Sequence, residues 1–337
     1  MGEFELLDRI RARLPQPGPR VRLGGGDDAA ITVPEGATAT SVDALVDGVH
    51  FRREWSSPEQ IGAKALAVAL SDLAAMGADP GEAYVVLGIP ADLDENGCLE
   101  LLDGIAKVAE EAGATLAGGD VTRAPALTLA LTVVGHATSP ADLVARSGAR
   151  GGDVLVVTGE LGGAAAGLVL LEGKDVVRSP FQPHSGTNDD RKRSLIARQL
   201  EPRPQLAAGR ALAAAGATAM IDLSDGLGGD ARHIATASGV GLRIEADALP
   251  LAPGVAELAA AAGRDPLELA TSGGEDYELL AALPAERLTA AAAAVERYGG
   301  LTQIGAVVAG EGVEIKLPGG GLLEPRGFDQ LDRSPHP

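Results

Sequence analysis

Five short segments set aspartate among glycine, hydroxyl or apolar residues: Gly24-Gly25-Gly26-Asp27-Asp28, Ser41-Val42-Asp43, Leu70-Ser71-Asp72, Gly118-Gly119-Asp120 and Ile221-Asp222-Leu223-Ser224-Asp225-Gly226. A solvated surface carboxylate needs no such company, whereas a carboxylate folded into apolar surroundings needs a partner, because burying an unpaired charge is costly. Hard oxygen ligands drawn from distant segments suit Mg²⁺, and Mg²⁺ held by a few carboxylates commonly also holds phosphates. The first reading is therefore a metal-dependent enzyme acting on phosphates.

Each motif also has a plainer explanation. Gly24–Asp28 and Gly118–Asp120 read equally well as acidic turns. Asp43 sits mid-strand, where Asp is disfavoured, though a sheet edge would tolerate it. Ser224 or Asp225 can serve as a helix N-cap, which leaves Asp222 unexplained. His50, seven residues after Asp43, and Arg146, in Arg146-Ser147-Gly148, would be ordinary residues if they stood alone. Arg146 is a candidate phosphate clamp. Ser272-Gly273-Gly274-Glu275-Asp276-Tyr277 is a further glycine–acid turn, and Cys98 receives no role.

The elements that must carry these residues follow from periodicity. Residues 38–46 are predicted as a strand with Ser41, Asp43 and Leu45 on one face. Residues 58–77 are predicted as a helix, with Pro58 in its first turn, Gly77 at its end and an apolar stripe through Ile61, Ala65, Val68 and Met76. At 100° per residue Asp72 falls inside that stripe. Strands are expected at 84–89, 127–134, 153–158, 219–223, 240–245, 278–282 and 304–309. Helices are expected at 98–113 and from Ser224 to near Gly239. Residues 174–195 and the tail past 317 read as loop. The glycine turn after 153–158 is neither G-x-G-x-x-G nor Walker A, so a Rossmann or P-loop reading is weak. The stretch 138–152, with Pro140, Gly148, Gly151 and Gly152, is the best domain boundary.

Bulk properties narrow the classes. Lys+Arg number 28 and Asp+Glu 47 among 337 residues, a formal net charge of −19. Such a chain repels nucleic acid and acidic membrane surfaces. One cysteine excludes an internal disulfide and a cysteine metal site. The N-terminus does not read as a signal peptide and no apolar run is long enough to span a bilayer, so a cytoplasmic protein is expected.

In order along the chain, GGGDDAA, SVDALVDGVHF, KALAVALSDLAAMGADP, AGGDVTR, RSGARGGD, IDLSDGL and SGGEDYEL resemble the thiamine-monophosphate kinase family of the aminoimidazole-ribonucleotide-synthetase-like superfamily. The resemblance runs from Gly24 to Tyr277 and extends to Phe328. It implies an α/β (α+β) fold of two domains: residues 1–139 for metal and ATP binding and dimerisation, and 149–337 as a C-terminal α/β domain. It implies Mg²⁺- and ATP-dependent phosphorylation of thiamine monophosphate to thiamine diphosphate by direct in-line transfer. It further implies a homodimer whose N-terminal sheets pair.

Carried over by motif, Asp27, Ser41, Asp43, Asp72, Asp120, Asp222 and Asp225 are the implied Mg²⁺ ligands. Gly119, Asp120, Arg146 and Ser224 are the implied nucleotide contacts. His50, Glu275 and Phe328 fall on the thiamine side. Asp43, Asp72, Asp120 and Arg146 would carry the catalytic electrostatics. Val42 departs from a common hydroxyl residue and Phe328 from a common Trp. Selenophosphate synthetase is disfavoured because no cysteine lies near the first glycine motif, and the hydrogenase-maturation relative because the C-terminal residues 333–337 carry none. Aminoimidazole-ribonucleotide synthetase is a weaker alternative. A non-enzymatic cation binder would need an EF-hand-like repeat, and none is present. A structural scaffold leaves Asp72 unexplained.

Overall fold

A computed structural model describes residues 6, 9–10, 12–13, 16–24, 29–173 and 187–328, with the side chains of 187–189 outside the description. Two compact units form: Met1–Leu143 with Leu200–Ala213, and Val144–Gln199 with Ala214–Pro337. Residues 200–213 thus return to the first unit, although the sequence reading assigns them to the second domain.

The first unit opens on a small pair, β1 (Val21–Leu23) and β2 (Ile31–Thr32), followed by β3 (Ala37–Val46), α1 (Pro58–Ala75), β4 (Asp79–Ile89), α2 (Glu95–Ala112), β5 (Thr115–Arg123) and β6 (Thr128–Ala137). The last four strands form one sheet in the order β3-β6-β4-β5. Helix α1 starts where Ser57 and Gln60 close a reciprocal box. The Gln60 N–H donates to Ser57 Oγ at 3.2 Å and the Ser57 N–H to Gln60 Oε1 at 3.0 Å. Pro58 follows at its first turn, where no backbone donor is required. Asp94 accepts from the Gly97 N–H to start α2, and Gly113 ends it at φ +71°. Leu66, Leu70 and Leu73 of α1, Leu101 and Ile105 of α2, and Leu129, Leu131 and Val133 of β6 are almost fully excluded from water.

The two helices meet backbone to backbone. A Cβ on Gly62 would stand 1.9 Å from the Leu101 carbonyl oxygen, and one on Gly104 1.9 Å from that of Glu59. Gly104→Ala should therefore lower stability by about 3 kcal/mol, since close-packed backbones cannot yield as a side chain does. An unchanged urea midpoint would show the helices free to separate.

The second unit contains β7 (Val154–Thr158), α3 (Gly163–Glu172), α4 (Thr187–Leu200), α5 (Leu206–Ala215), β8 (Ala219–Asp222), α6 (Leu227–Ser238), β9 (Gly241–Glu245), α7 (Val255–Ala262), α8 (Pro266–Thr271), β10 (Leu279–Leu283), α9 (Leu288–Val295), β11 (Leu301–Val308), β12 (Gly312–Lys316) and β13 (Leu322–Leu323), with most of α5 and the end of α4 belonging to the first unit. Its sheet runs β13-β12-β9-β11-β7-β10-β8. Only β12–β9 is parallel. Leu155, Val157, Ile221, Leu242, Ile244, Leu280 and Ile304 build its core with Leu227 and Ile234 of α6.

Three expectations change. The Gly118-Gly119-Asp120 turn is part of β5, paired in parallel with β4. Part of the 174–195 loop is helix: α4 runs from Thr187, and its Leu195 packs in the core beside Ala166 and Leu170 of α3. Residues 174–186 lie outside the described residues. The tail past 317 contains β13, which pairs with β12.

Candidate active site

In the first unit the β3 residues Ser41 and Asp43 pair with Val133 and Leu131, which are buried beneath the helices. Alternation therefore turns Ser41 and Asp43 toward α1. There the Ser41 hydroxyl donates a short hydrogen bond to Asp72 Oδ2. Burial first, and then the nearby Asp72 charge, push the Asp43 carboxyl up from 3.8 to about 6. Two carboxylates and a hydroxyl thus converge from a strand and a helix, and the set is all hard oxygen. A donor set of this chemistry fits Mg²⁺, whose charge would remove the repulsion that raises Asp43.

The same register places the other residues of this unit. Asp43, Leu131, Val85 and Gly119 stand in line across all four strands, so Gly119 is about 14 Å from Asp43 at ordinary strand spacing. Asp120 pairs with the exposed Val86, on the opposite face of the sheet from Asp43, and is itself exposed. Within one chain it does not join the Ser41–Asp43–Asp72 group. Val42, 68% exposed, shares that opposite face and cannot touch what Asp43 touches. The His50 Nδ1 accepts from the Val46 N–H at 3.1 Å, which leaves the ring proton on Nε2, and Lys64 Nζ donates to the His50 carbonyl. Asp27 lies outside the described residues.

In the second unit the turn after β8 gathers what the sequence scattered. Asp222 ends the strand, buried, and Ser224 and Asp225 follow in the turn. The Glu275 N–H donates to the Ser224 carbonyl at 2.9 Å, and the Phe328 N–H to that of Asp225 at 2.8 Å. Asp222, Ser224, Asp225, Glu275 and Phe328 are therefore brought to one turn. Neither Ser224 nor Asp225 caps α6: its N-cap is Gly226, at φ +101°. The carboxylate of Asp230, in the first turns of α6, reaches back to accept from the Asp225 N–H at 3.1 Å and so ties the turn after β8 to the helix. Burial, then the Asp222 and Asp225 charges, raise Asp230 to about 8. Asp225, Asp230 and the exposed His233 each offer an atom within 4.8 Å of the others, a cation-binding arrangement. Sequence reasoning missed Asp230 and His233, although Asp230 recurs at helical spacing with the buried Leu227 and Ile234. Arg146 is exposed in the loop before β7, where its carbonyl accepts from Ser238 Oγ.

In the sequence Asp276 shows only as part of a glycine–acid turn. Its Oδ2 accepts from the Gly162 N–H at 2.7 Å and its Oδ1 from the Ala164 N–H at 3.1 Å, so it closes the first turn of α3. The glycine turn after β7 is thus already filled by a carboxylate of the chain itself, which disposes of a phosphate-cradling role there. Burial raises Asp276 to about 6 against the pull of these donors. Burial likewise raises Glu278, bonded to Thr158 Oγ1 at 2.6 Å, to about 7. Glu275 and Tyr277, at φ +68° and +50°, are the non-glycine residues with positive φ among those described. Each such residue costs about 1–3 kcal/mol.

Comparisons with known proteins define the family to which the chain belongs. The AIR synthase related protein N-terminal domain matches residues 26–137, and the corresponding C-terminal domain matches residues 150–318. Together these define the class as a two-domain AIR synthase related protein. A thiamine-monophosphate kinase of Mycobacterium tuberculosis is 41% identical over 285 residues, 83% of this chain and 80% of that protein. The crystal structure of thiamine-monophosphate kinase from Stenotrophomonas maltophilia superposes with a TM-score of 0.81 at 36% identity, covering 94% of this chain and 96% of that one. AaThiL complexed with AMPPCP and TMP superposes with a TM-score of 0.73 at 30% identity, over 97% and 96%. The chain belongs to the thiamine-monophosphate kinase family.

Proposed function

We infer that this chain transfers the γ-phosphoryl group of ATP to thiamine monophosphate, giving thiamine diphosphate and ADP. The observation that carries the reading is the likeness, over nearly the whole chain, to AaThiL with AMPPCP and TMP. The oxygen-only group of Ser41, Asp43 and Asp72 supports it from this chain's own geometry.

In the reaction a phosphate oxygen of thiamine monophosphate forms the new bond to the γ-phosphorus while the bond to the β–γ bridging oxygen breaks and ADP departs. A phosphate monoester has a second pKa of about 6, so the nucleophile is already ionised near pH 7 and needs no general base. What the chain must do is hold anions together in line. Ser41, Asp43 and Asp72 would hold Mg²⁺ in the first unit, and Asp222 and Asp225 offer ligands in the second. Asp27 and Asp120 are proposed as further ligands. Bound there, Mg²⁺ supplies positive charge to the phosphoryl oxygens and offsets anion repulsion. We assign Gly119, Arg146 and Ser224 to the nucleotide, with Arg146 adding charge-assisted hydrogen bonds, and His50, Glu275 and Phe328 to the thiamine side. Phe328 is 42% exposed at the turn after β8.

Among the described residues no helix is long and apolar enough to cross a membrane. We propose a cytoplasmic homodimer formed by the sheet face that carries Val42 and Val86, exposed by 68% and 42%. Val42→Glu should then halve the mass seen in sedimentation equilibrium. A wild-type protein that sediments as a single chain at micromolar concentration would refute the dimer.

The function is tested with purified protein, ATP, Mg²⁺ and thiamine monophosphate. Thiamine diphosphate and ADP should form in equal amounts, and both should vanish with EDTA. ATP binding without product would leave a nucleotide-binding protein with a different acceptor.

A further inference from the structure

We propose that Asp276 is a positioning residue: its carboxylate ties the strained 272–278 turn to the start of α3 and so holds Glu275 on the substrate side of the turn after β8. The proposal deepens the kinase reading and rests on the assignment of Glu275 made there.

Helix α3 has no cap of its own. Its N-cap is Gly162, at φ +78°, with no side chain to offer. The cap comes instead from a residue more than a hundred positions away, both of whose oxygens are engaged, on Gly162 and Ala164. A lone cap would need only one oxygen and an ordinary backbone. Here the residues on either side of the cap, Glu275 and Tyr277, are both left-handed. L-residues persist in that conformation only where the surroundings over-determine it.

The surroundings do so from three directions. The Glu275 and Tyr277 N–H groups donate to the Ser224 and Leu223 carbonyls, both at 2.9 Å, which stitches the turn to the segment after β8. Gly274 lies so close to that segment that a Cβ would stand 2.3 Å from the Ser224 oxygen. Gln199 Nε2, at the end of α4, donates to Glu275 Oε2. The third tie is Asp276. With left-handed residues on both sides, its side chain is turned toward α3 while that of Glu275 reaches Gln199. Releasing Asp276 frees the central residue of the turn and lets Glu275 relax toward the ordinary β or α regions, which takes its N–H from the Ser224 carbonyl and its carboxylate from Gln199. Asp276 contacts no substrate in this account.

The test is steady-state kinetics of wild type, Asp276→Ala, Asp276→Asn, Glu275→Ala and the Glu275→Ala/Asp276→Ala double variant, run well below each melting temperature. For Asp276→Ala the KM for thiamine monophosphate should rise about tenfold, with the KM for ATP and kcat changed less than about threefold. Asp276→Asn, whose amide oxygen still accepts one N–H, should fall between. In the Glu275→Ala background the loss of Asp276 should add almost nothing, because its effect travels through Glu275. If Asp276→Ala does not fold, Asp276→Asn carries the same comparison. A lowered melting temperature with both KM values unchanged would overturn the proposal and leave a plain helix cap. So would a full tenfold addition in the Glu275→Ala background. A wild type inactive on thiamine monophosphate would overturn the functional reading and this proposal with it, whereas an active wild type beside an unaltered Asp276→Ala overturns the proposal alone.

Discussion

Asp43→Asn should reduce thiamine diphosphate formation by about 10³-fold or more while leaving the metal-free protein as stable as wild type, or more so, at pH 8. The two effects have one cause. Asp43 is held toward α1 by strand alternation, and burial together with the Asp72 charge makes its ionised form unfavourable in the folded protein, with a pKa of about 6 against 3.8. Its folded pKa lies above its unfolded value, so its stabilising contribution is full below about pH 4 and is lost as pH rises through about 6. At pH 8 the carboxylate is ionised at the folded state's expense. An amide removes that charge and keeps the shape, so folding gains what cation binding loses. Asp72→Asn should act similarly on turnover, with the added loss of the strongest acceptor for Ser41. The check is turnover and thermal melting in EDTA on the same preparations. A variant with near-normal rate would remove Asp43 from the metal site. A variant that is both inactive and much less stable would mean that its carboxylate is structural.

The second large effect is the pH dependence of the metal-free protein. Four carboxyls have folded values above their ordinary ones: Asp43 and Asp276 at about 6, Glu278 at about 7 and Asp230 at about 8. Burial is the first cause in each. Between the unfolded values near 4 and these folded values, the native state binds more protons than the unfolded chain, so stability must fall as pH rises. In EDTA the melting temperature should therefore drop between pH 5.5 and 8.5, by on the order of 10 °C. Mg²⁺ should recover about half of this at pH 8.5 and little at pH 5.5, because it can compensate Asp43 and the Asp222–Asp225–Asp230 group only when they are ionised. Asp276 and Glu278 face Gly162, Ala164 and Thr158, so their share should persist with the metal present. A melting temperature that rises with pH in EDTA would contradict the burial of these groups. An equal Mg²⁺ effect at both pH values would mean that the cation binds elsewhere.

What the sequence disclosed was whatever depends on a local period. Strict alternation placed Ser41 and Asp43 on one face of β3, and the apolar stripe of α1 placed Asp72 within it, so their meeting could be anticipated. Gly118 and Gly119 concealed β5, because glycine carries no strand preference and the pairing with β4 alone makes that segment extended. α4 was hidden by its polar start, Thr187-Asn188-Asp189-Asp190-Arg191-Lys192-Arg193, whose helical character is settled by Leu195 packing near α3. The burial of Asp230 was legible in part, since an acid at the spacing of the buried Leu227 and Ile234 is its signal. The capping of α3 by Asp276 was not, because nothing local ties residue 276 to residues 162–164.

The return of residues 200–213 to the first unit has a consequence for synthesis. Gly209 on α5 lies so close to α1 that a Cβ would stand 2.0 Å from the Ala74 carbonyl, and Arg210 pairs with Asp79 at the start of β4. A ribosome releases the chain from its N-terminus, so the first unit cannot complete its packing when residue 143 emerges. It must wait for some seventy further residues, with the α5-facing surface of α1 uncovered in the meantime. A nascent chain arrested before residue 200 should accordingly be a target for chaperones that bind exposed helix surfaces, whereas one arrested well beyond residue 213 should not.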